Sequence, residues 1–202
     1  MAKVVHLFLL SVIFAILAVT TNYRGMYKMD HMSECSRFCA VVIWDINTDD
    51  TDIRFIYHKR FLYALISKMP EGSYIILKTT DDLNTELIFK KDFRWTEQLH
   101  GIKFSFSNNK AAIPHSLLQK TVETSLDWNE TADMDIQLFL LLNDISHFDD
   151  EKKAGEALTI VNTFVVFTGK IQPQSVFTDL ASDEQHVYGP ITGDTNDNIF
   201  RY

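Results

Sequence analysis

Two short apolar runs, Phe38 to Trp44 and Met134 to Leu142, each break off into an acidic loop and then into a stretch with helical spacing. A run of this length with no alternation of apolar and polar residues suits a strand buried on both faces, because neither face is left for solvent. After the first run, Asp45-Ile-Asn-Thr-Asp-Asp-Thr-Asp52 leads into Ile53, Tyr57, Phe61, Ala64, Leu65 and Met69. These residues form one face of a helix that Pro70-Glu-Gly72 ends. After the second run, Asn143-Asp-Ile-Ser-His-Phe-Asp-Asp150 precedes Ala154, Ala157, Leu158 and Val161 at i, i+3, i+4 and i+7. The unit strand, acidic loop, helix therefore occurs twice.

The remaining segments extend this pattern. Ser73 to Thr79 is a further apolar run, and Glu86 to Phe93 is a more charged one joined to it by the turn-prone Asp81-Asp-Leu-Asn84, so the two predict a hairpin with an edge strand. Trp95 to His100 has the pattern of a short helix, while Ile102 to Phe106 alternates like a strand. Pro114 at a first helical turn opens a helix that carries Leu117, Leu118, Thr121, Val122, Ser125 and Leu126 on one side. Thr163 to Thr168 is another strand, Ser175 to Ala181 a short helix, and His186-Val-Tyr-Gly189 a last strand. Strands alternating with helices predict an α/β fold: a doubly wound, mostly parallel sheet with helices on both faces and one antiparallel edge strand. Its binding crevice is expected beyond the carboxyl ends of the strands.

Residues 1–20 stand apart. One basic residue, Lys3, precedes an apolar run from Val4 to Val19, and Ala18 and Thr20 suit the positions before a cut, the pattern of a secretory signal peptide; an uncleaved signal anchor is the alternative. Residues 21–37 are polar and aperiodic and read as a lead-in segment, leaving 38–202 as the folded domain. A secreted, extracellular protein is expected. In such a compartment Cys35 and Cys39 are expected to close a small disulfide loop, with unpaired thiols or an interchain bridge as alternatives. Asn129-Glu-Thr131 is a sequon for N-glycosylation at a turn after a helix.

Nineteen basic residues against 27 acidic ones give a formal net charge of −8. That balance lacks the cationic footprint of a nucleic-acid protein, and after signal removal no second long apolar run is left for insertion into a membrane. An extracellular protein or carbohydrate is the expected partner. The strongest local signal is Asp45-x-Asn47-x-Asp49 at the end of the first strand, whose side-chain oxygens suit a hard divalent cation, Mg2+, Mn2+ or Ca2+. It is not an EF-hand, since the sixth position is Asp50 rather than Gly and the twelfth is Ile56 rather than Glu. The other reading of the loop is a set of solvated acidic caps at a helix N-terminus. Asp144 ends the second buried strand and, in a doubly wound sheet, its loop would meet the first one at the same crevice.

The acidic loop after the first strand, Asn143-Asp-Ile145 after the later one, and this order of helices and strands resemble the von Willebrand factor A domain, over about Phe38 to Thr192. That family holds a metal-ion-dependent adhesion site built from D-x-S-x-S, a threonine from another loop, and the aspartate of T-D-G, with an open position for a ligand carboxylate. The resemblance implies that Asp45 is the first aspartate, that Asn47 and Asp49 stand where serines are usual, and that Asp144 is the later aspartate. The threonine has no counterpart in Ser107 to His115, where Asn108 or Asn109 offers an oxygen instead, and the glycine after Asp144 is missing. Asp45, Asp49 and Asp144 together would bind an ion tightly while weakening its pull on an acidic ligand. A metal-free, degenerate site is the alternative.

For an enzyme, G-x-S-x-G, a Walker loop, G-x-G-x-x-G, H-E-x-x-H and C-x-x-C are all lacking in the sequence. A metal-assisted hydrolase using Asp45, Asp49 and Asp144 with His147 as base is the remaining catalytic reading, and the sequence favours a non-enzymatic binding domain over it. Trp44, Trp95 and Trp128 are expected to serve in packing.

Overall fold

The structure, a computed structural model, describes residues 36–46, 53–80, 86–100, 111–169 and 175–191. The expected signal segment 1–20 and most of the lead-in lie outside them. The strands are β1 (Phe38–Trp44), β2 (Tyr74–Thr79), β3 (Glu86–Lys90), β4 (Asp135–Asn143), β5 (Asn162–Thr168) and β6 (Val187–Ile191). The helices are α1 (Ile53–Lys68), α2 (Trp95–His100), α3 (His115–Asp127), α4 (Glu151–Leu158) and α5 (Ser175–Asp179). The sheet runs β3-β2-β1-β4-β5-β6, parallel throughout except for β3, which pairs antiparallel with β2 at the edge. This is the doubly wound sheet with one antiparallel edge strand that the sequence predicts.

The pleat sorts each central strand between two cores. Phe38, Ala40, Val42 and Trp44 of β1 face a core that includes Phe55, Phe61, Leu62, Leu65 and Ile66 of α1. Cys39, Val41 and Ile43 face the opposite core, which includes Leu117, Leu118 and Val122 of α3 and Leu158 of α4. Every residue of β1 is buried, which is why its sequence shows no alternation. Cys39 is a free, buried thiol facing that second core, and burial pushes its pKa from 9.0 up to about 12. Cys35, its expected disulfide partner, lies outside the described residues.

Local chemistry sets the helix ends. The ammonium of Lys91 reaches the Ser67 carbonyl at 3.0 Å and that of Met69, placing a cation on the last turn of α1 where the helix dipole favours one. Burial holds the Lys91 pKa below its ordinary value, with Glu71 opposing the effect. Gly72 follows with φ +82°, in the left-handed region that glycine tolerates best. Trp95 to His100, ambiguous in sequence, is helical, and the alternating segment after it lies outside the described residues.

Candidate functional site

The crest of the sheet is built where β1, β2 and β4 end together. Register puts Trp44 beside Thr79 on one side and Leu141 on the other. The Thr80 N–H donates to the Trp44 carbonyl at 3.1 Å and the Asp45 N–H to the Leu141 carbonyl at 3.0 Å, so Asp45 is held between both neighbours. Its carboxylate is 1% exposed. A buried carboxylate needs donors. Thr80 Oγ1 donates to Oδ1 at 2.8 Å and Ser146 Oγ donates to Oδ2.

Ser146 belongs to a tightly wound loop after β4. Its Oγ accepts from the Asn143 N–H at 2.9 Å, its own N–H donates to the Asn143 carbonyl at 3.1 Å, and Asn143 Oδ1 accepts from the Ile145 N–H at 3.0 Å. These bonds close an Asx-type turn and aim the loop. The Ile145 contact fixes the orientation of the Asn143 amide, since a flipped amide would set one donor against another. Asn143 Nδ2 is left buried with no acceptor among the described residues.

Asp144, between these anchors, is partly exposed, and its carboxylate is ion-paired with the Arg54 guanidinium from the first turn of α1. Gly169, just past β5, packs against it: a Cβ there would stand 3.0 Å from the Asp144 Cβ and 3.1 Å from its Cγ, at a φ of +155°.

Beneath the crest, Trp44 stacks on Phe55 with centroids 4.8 Å apart, and its Nε1–H donates to His58 Nδ1 at 3.1 Å. Because indole only donates, His58 Nδ1 is the accepting nitrogen and Nε2 carries the hydrogen facing the Leu142 carbonyl at 3.0 Å. Thr168 Oγ1 lies 3.2 Å from the same Nε2. This buried relay ties α1 to the ends of β1, β4 and β5.

The expected site residues sort as follows. Asp45 and Asp144 reach the same crest from adjacent central strands. Asn47 and Asp49 lie outside the described residues, as do Asn108 and Asn109. His147 is an exposed loop residue whose Nδ1 lies 3.2 Å from the Ile145 carbonyl. Trp44 packs in the core, Trp95 against Tyr63, and Trp128 edge-on to Tyr74. Asn129 is exposed at the opposite end of the sheet, beside a cavity of about 470 Å³ lined by Arg37, Tyr74, Lys90, Glu130 and Asp133. The Thr131 hydroxyl of its sequon is buried, donating to the Trp128 carbonyl at 2.9 Å and the Ser125 carbonyl at 3.1 Å. Arg54, Thr80, Ser146, His58 and Gly169 were not legible as site residues. For Arg54 one signal was available, a cation in the first turn of a helix, where the dipole disfavours it.

The described part of the crest fits a divalent ion poorly. Asp144 already carries a guanidinium, and Asn143 Nδ2 is a donor, which no cation satisfies. No group of three or more His, Cys, Asp and Glu side chains is gathered as a ligand set among the described residues.

Neither a protein-family model nor a curated protein matches the chain. Among solved structures, proximal thread matrix protein 1 from the mussel byssus aligns with a TM-score of 0.53 at 14% identity, over 82% of this chain and 44% of that one. A second structure of that protein, with a zinc-occupied MIDAS motif, aligns with a TM-score of 0.51 at 10% identity, over 78% of this chain and 41% of that one. The VWA domain of SpRpn10 is 14% identical over 76% of this chain and 86% of that one, with a TM-score of 0.49. The chain thus spans less than half the length of the mussel protein, and at these identities the likeness is one of fold. With its six-stranded sheet, single antiparallel edge and paired aspartates at the ends of β1 and β4, the chain is a divergent domain of von Willebrand factor A-like fold.

Proposed function

We propose that this protein is a secreted interaction domain that binds an extracellular protein through its loop crest. The observation that carries the reading is the convergence of Asp45, Thr80, Asp144 and Ser146 at the carboxyl ends of β1, β2 and β4, the place where open α/β sheets bind their ligands. The sequence around the crest is acidic: the stretch that begins at Asp45 carries Asp49, Asp50 and Asp52, and the stretch after β4 carries Asp144, Asp149, Asp150 and Glu151. A partner presenting lysines and arginines is therefore favoured. A glycan on Asn129 would stand at the amino-terminal end of the sheet and leave the crest clear. No helix among the described residues is long and apolar enough to cross a membrane.

The finer reading, in which capture needs a divalent ion, is supported by the zinc-occupied motif of the mussel protein and opposed by the Arg54–Asp144 pair. Catalysis is not part of the proposal. The test is binding of the full-chain protein, produced by secreting cells, to arrays of lysine- and arginine-rich peptides and of glycans, with and without EDTA. Peptide binding lost on reversing the charges of Asp49 and Asp52 supports the reading, and loss in EDTA adds an ion to it. Binding to glycans alone replaces the protein partner with a carbohydrate. Binding that survives the charge reversals moves the contact off the crest.

A further inference from the structure

We infer that Arg54 is a built-in cation that takes the place of a divalent ion at the crest. Three observations lead there. The Asp144 carboxylate, which stands at the end of β4 beside the Asp45 loop, is neutralised by the Arg54 guanidinium across 90 residues of sequence. Arg54 is the second residue of α1, whose first turn contains no acidic residue. A cation at a helix N-terminus opposes the dipole, so the pairing with Asp144 works against the helix dipole and not with it. The adjoining buried donor, Asn143 Nδ2, has no acceptor among the described residues, and a hydrogen-bond donor at that place cannot serve as a ligand to an ion.

The physical exchange is direct. An ion would gather carboxylate and hydroxyl oxygens into one coordination shell. Here the same kinds of oxygen are satisfied in two separate ways: the Thr80 and Ser146 hydroxyls donate to Asp45, and the guanidinium pairs with Asp144. The first arrangement needs a dissolved ion and is lost to a chelator. The second is covalently part of the chain and is indifferent to one. The inference concerns the ion alone and stands whether or not the crest binds a partner.

The test uses full-chain protein from secreting cells, with Mn2+ as the probe, read by equilibrium dialysis and by thermal unfolding in EDTA and in Mn2+, Mg2+, Ca2+ or Zn2+. The wild type should bind no stoichiometric Mn2+ and keep one melting temperature throughout. Arg54→Gln should melt about 2–3 °C lower in EDTA and recover in Mn2+, because it uncovers Asp144 beside Asp45. Arg54→Lys should keep the charge and stay unresponsive to ions. One Mn2+ per wild-type chain, lost in Asp144→Asn, would overturn the inference, as would an Arg54→Gln protein that gains nothing from any ion, since the pair would then be an ordinary surface ion pair. Should Arg54→Gln not fold, Arg54→Met, which keeps the aliphatic stem and removes the charge, takes its place with the same outcomes.

Discussion

Replacing Asp45 separates a carboxylate that holds the crest together from one kept for a ligand. The group is 1% exposed and accepts hydrogen bonds from the hydroxyls of Thr80, at 2.8 Å, and Ser146. Hydrogen bonds to a charged group are worth about 1.5–3 kcal/mol each. Asp45→Ala removes both, leaves the buried Ser146 hydroxyl and the half-buried Thr80 hydroxyl to find new acceptors, and recovers the cost of burying the charge, so a net loss of about 3 kcal/mol is expected. For a domain of this size that lowers the melting temperature by about 6–12 °C. Asp45→Asn keeps the shape and one accepting oxygen, and its amide can donate to a hydroxyl lone pair, so about 1 kcal/mol is expected. Urea unfolding followed by circular dichroism gives both values. An alanine variant within about 0.5 kcal/mol of wild type would refute the structural role and leave the carboxylate as a ligand group. An asparagine variant as damaged as the alanine one would show that the charge, not the hydrogen-bond pair, is what the fold needs.

Three further outcomes follow from the same geometry. Gly169→Ala places a Cβ 3.0 Å from the Asp144 Cβ, a few tenths of an ångström inside ordinary contact, at a strained φ, so a loss of about 1–3 kcal/mol with a loosened Arg54 pair is expected by urea unfolding; a neutral result would mean that Asp144 is not fixed by this contact. Cys39 holds its proton up to about pH 12 while the unfolded thiol loses it near 9, so the folded chain binds more protons between these values and stability falls as pH rises through them. The fall should be shallower in Cys39→Ala, and iodoacetamide at pH 8 should label Cys39 only after unfolding. Asp149, held below its ordinary pKa chiefly by the His115 N–H at 2.7 Å, lends stability that is complete above the usual carboxylate range and lost as pH falls through its lowered value. Asp149→Ala should therefore flatten the acid side of the stability profile measured by urea unfolding.

What could be read from the chain, and what could not, divides at the range of the interaction. Burial on both faces writes itself into a strand as an unbroken apolar run, so β1 and β4 were legible, as was the charged edge strand β3. The aspartates at the strand ends were legible for the same reason, because where a buried run stops is local information. The partners of those aspartates were not. Thr80 lies 35 residues from Asp45, Ser146 lies 101 away, and Arg54 lies 90 from Asp144. Each contact depends on parallel register, which no local pattern encodes. The N-terminus of α3 makes the point again: Pro114 gives it no side-chain cap, and Asp149 from the loop after β4 caps it across space.

That division points to where a partner should be sought. On the described part of the crest every aspartate already has structural work: Asp45 with two hydroxyls, Asp144 with Arg54, Asp149 at the start of α3, and Asp150 accepting from the Lys153 N–H at 3.1 Å to cap α4. Reversing the charge at Asp149 or Asp150 removes a helix cap and should lower stability, so lost binding there would be confounded with lost stability. Asp49, Asp50 and Asp52 lie outside the described residues and add three negative charges to the loop that begins at Asp45. Partner-directed charge belongs in this second group if the crest is a binding surface. Asp49→Lys with Asp52→Lys should then leave the free energy of urea unfolding within about 0.5 kcal/mol of wild type while weakening a basic peptide probe, and the weakening should shrink as salt rises and screens the wild-type attraction. A variant that loses stability in step with binding would instead place these aspartates among the caps, and with them the whole acidic crest among the devices that hold the sheet's end in shape.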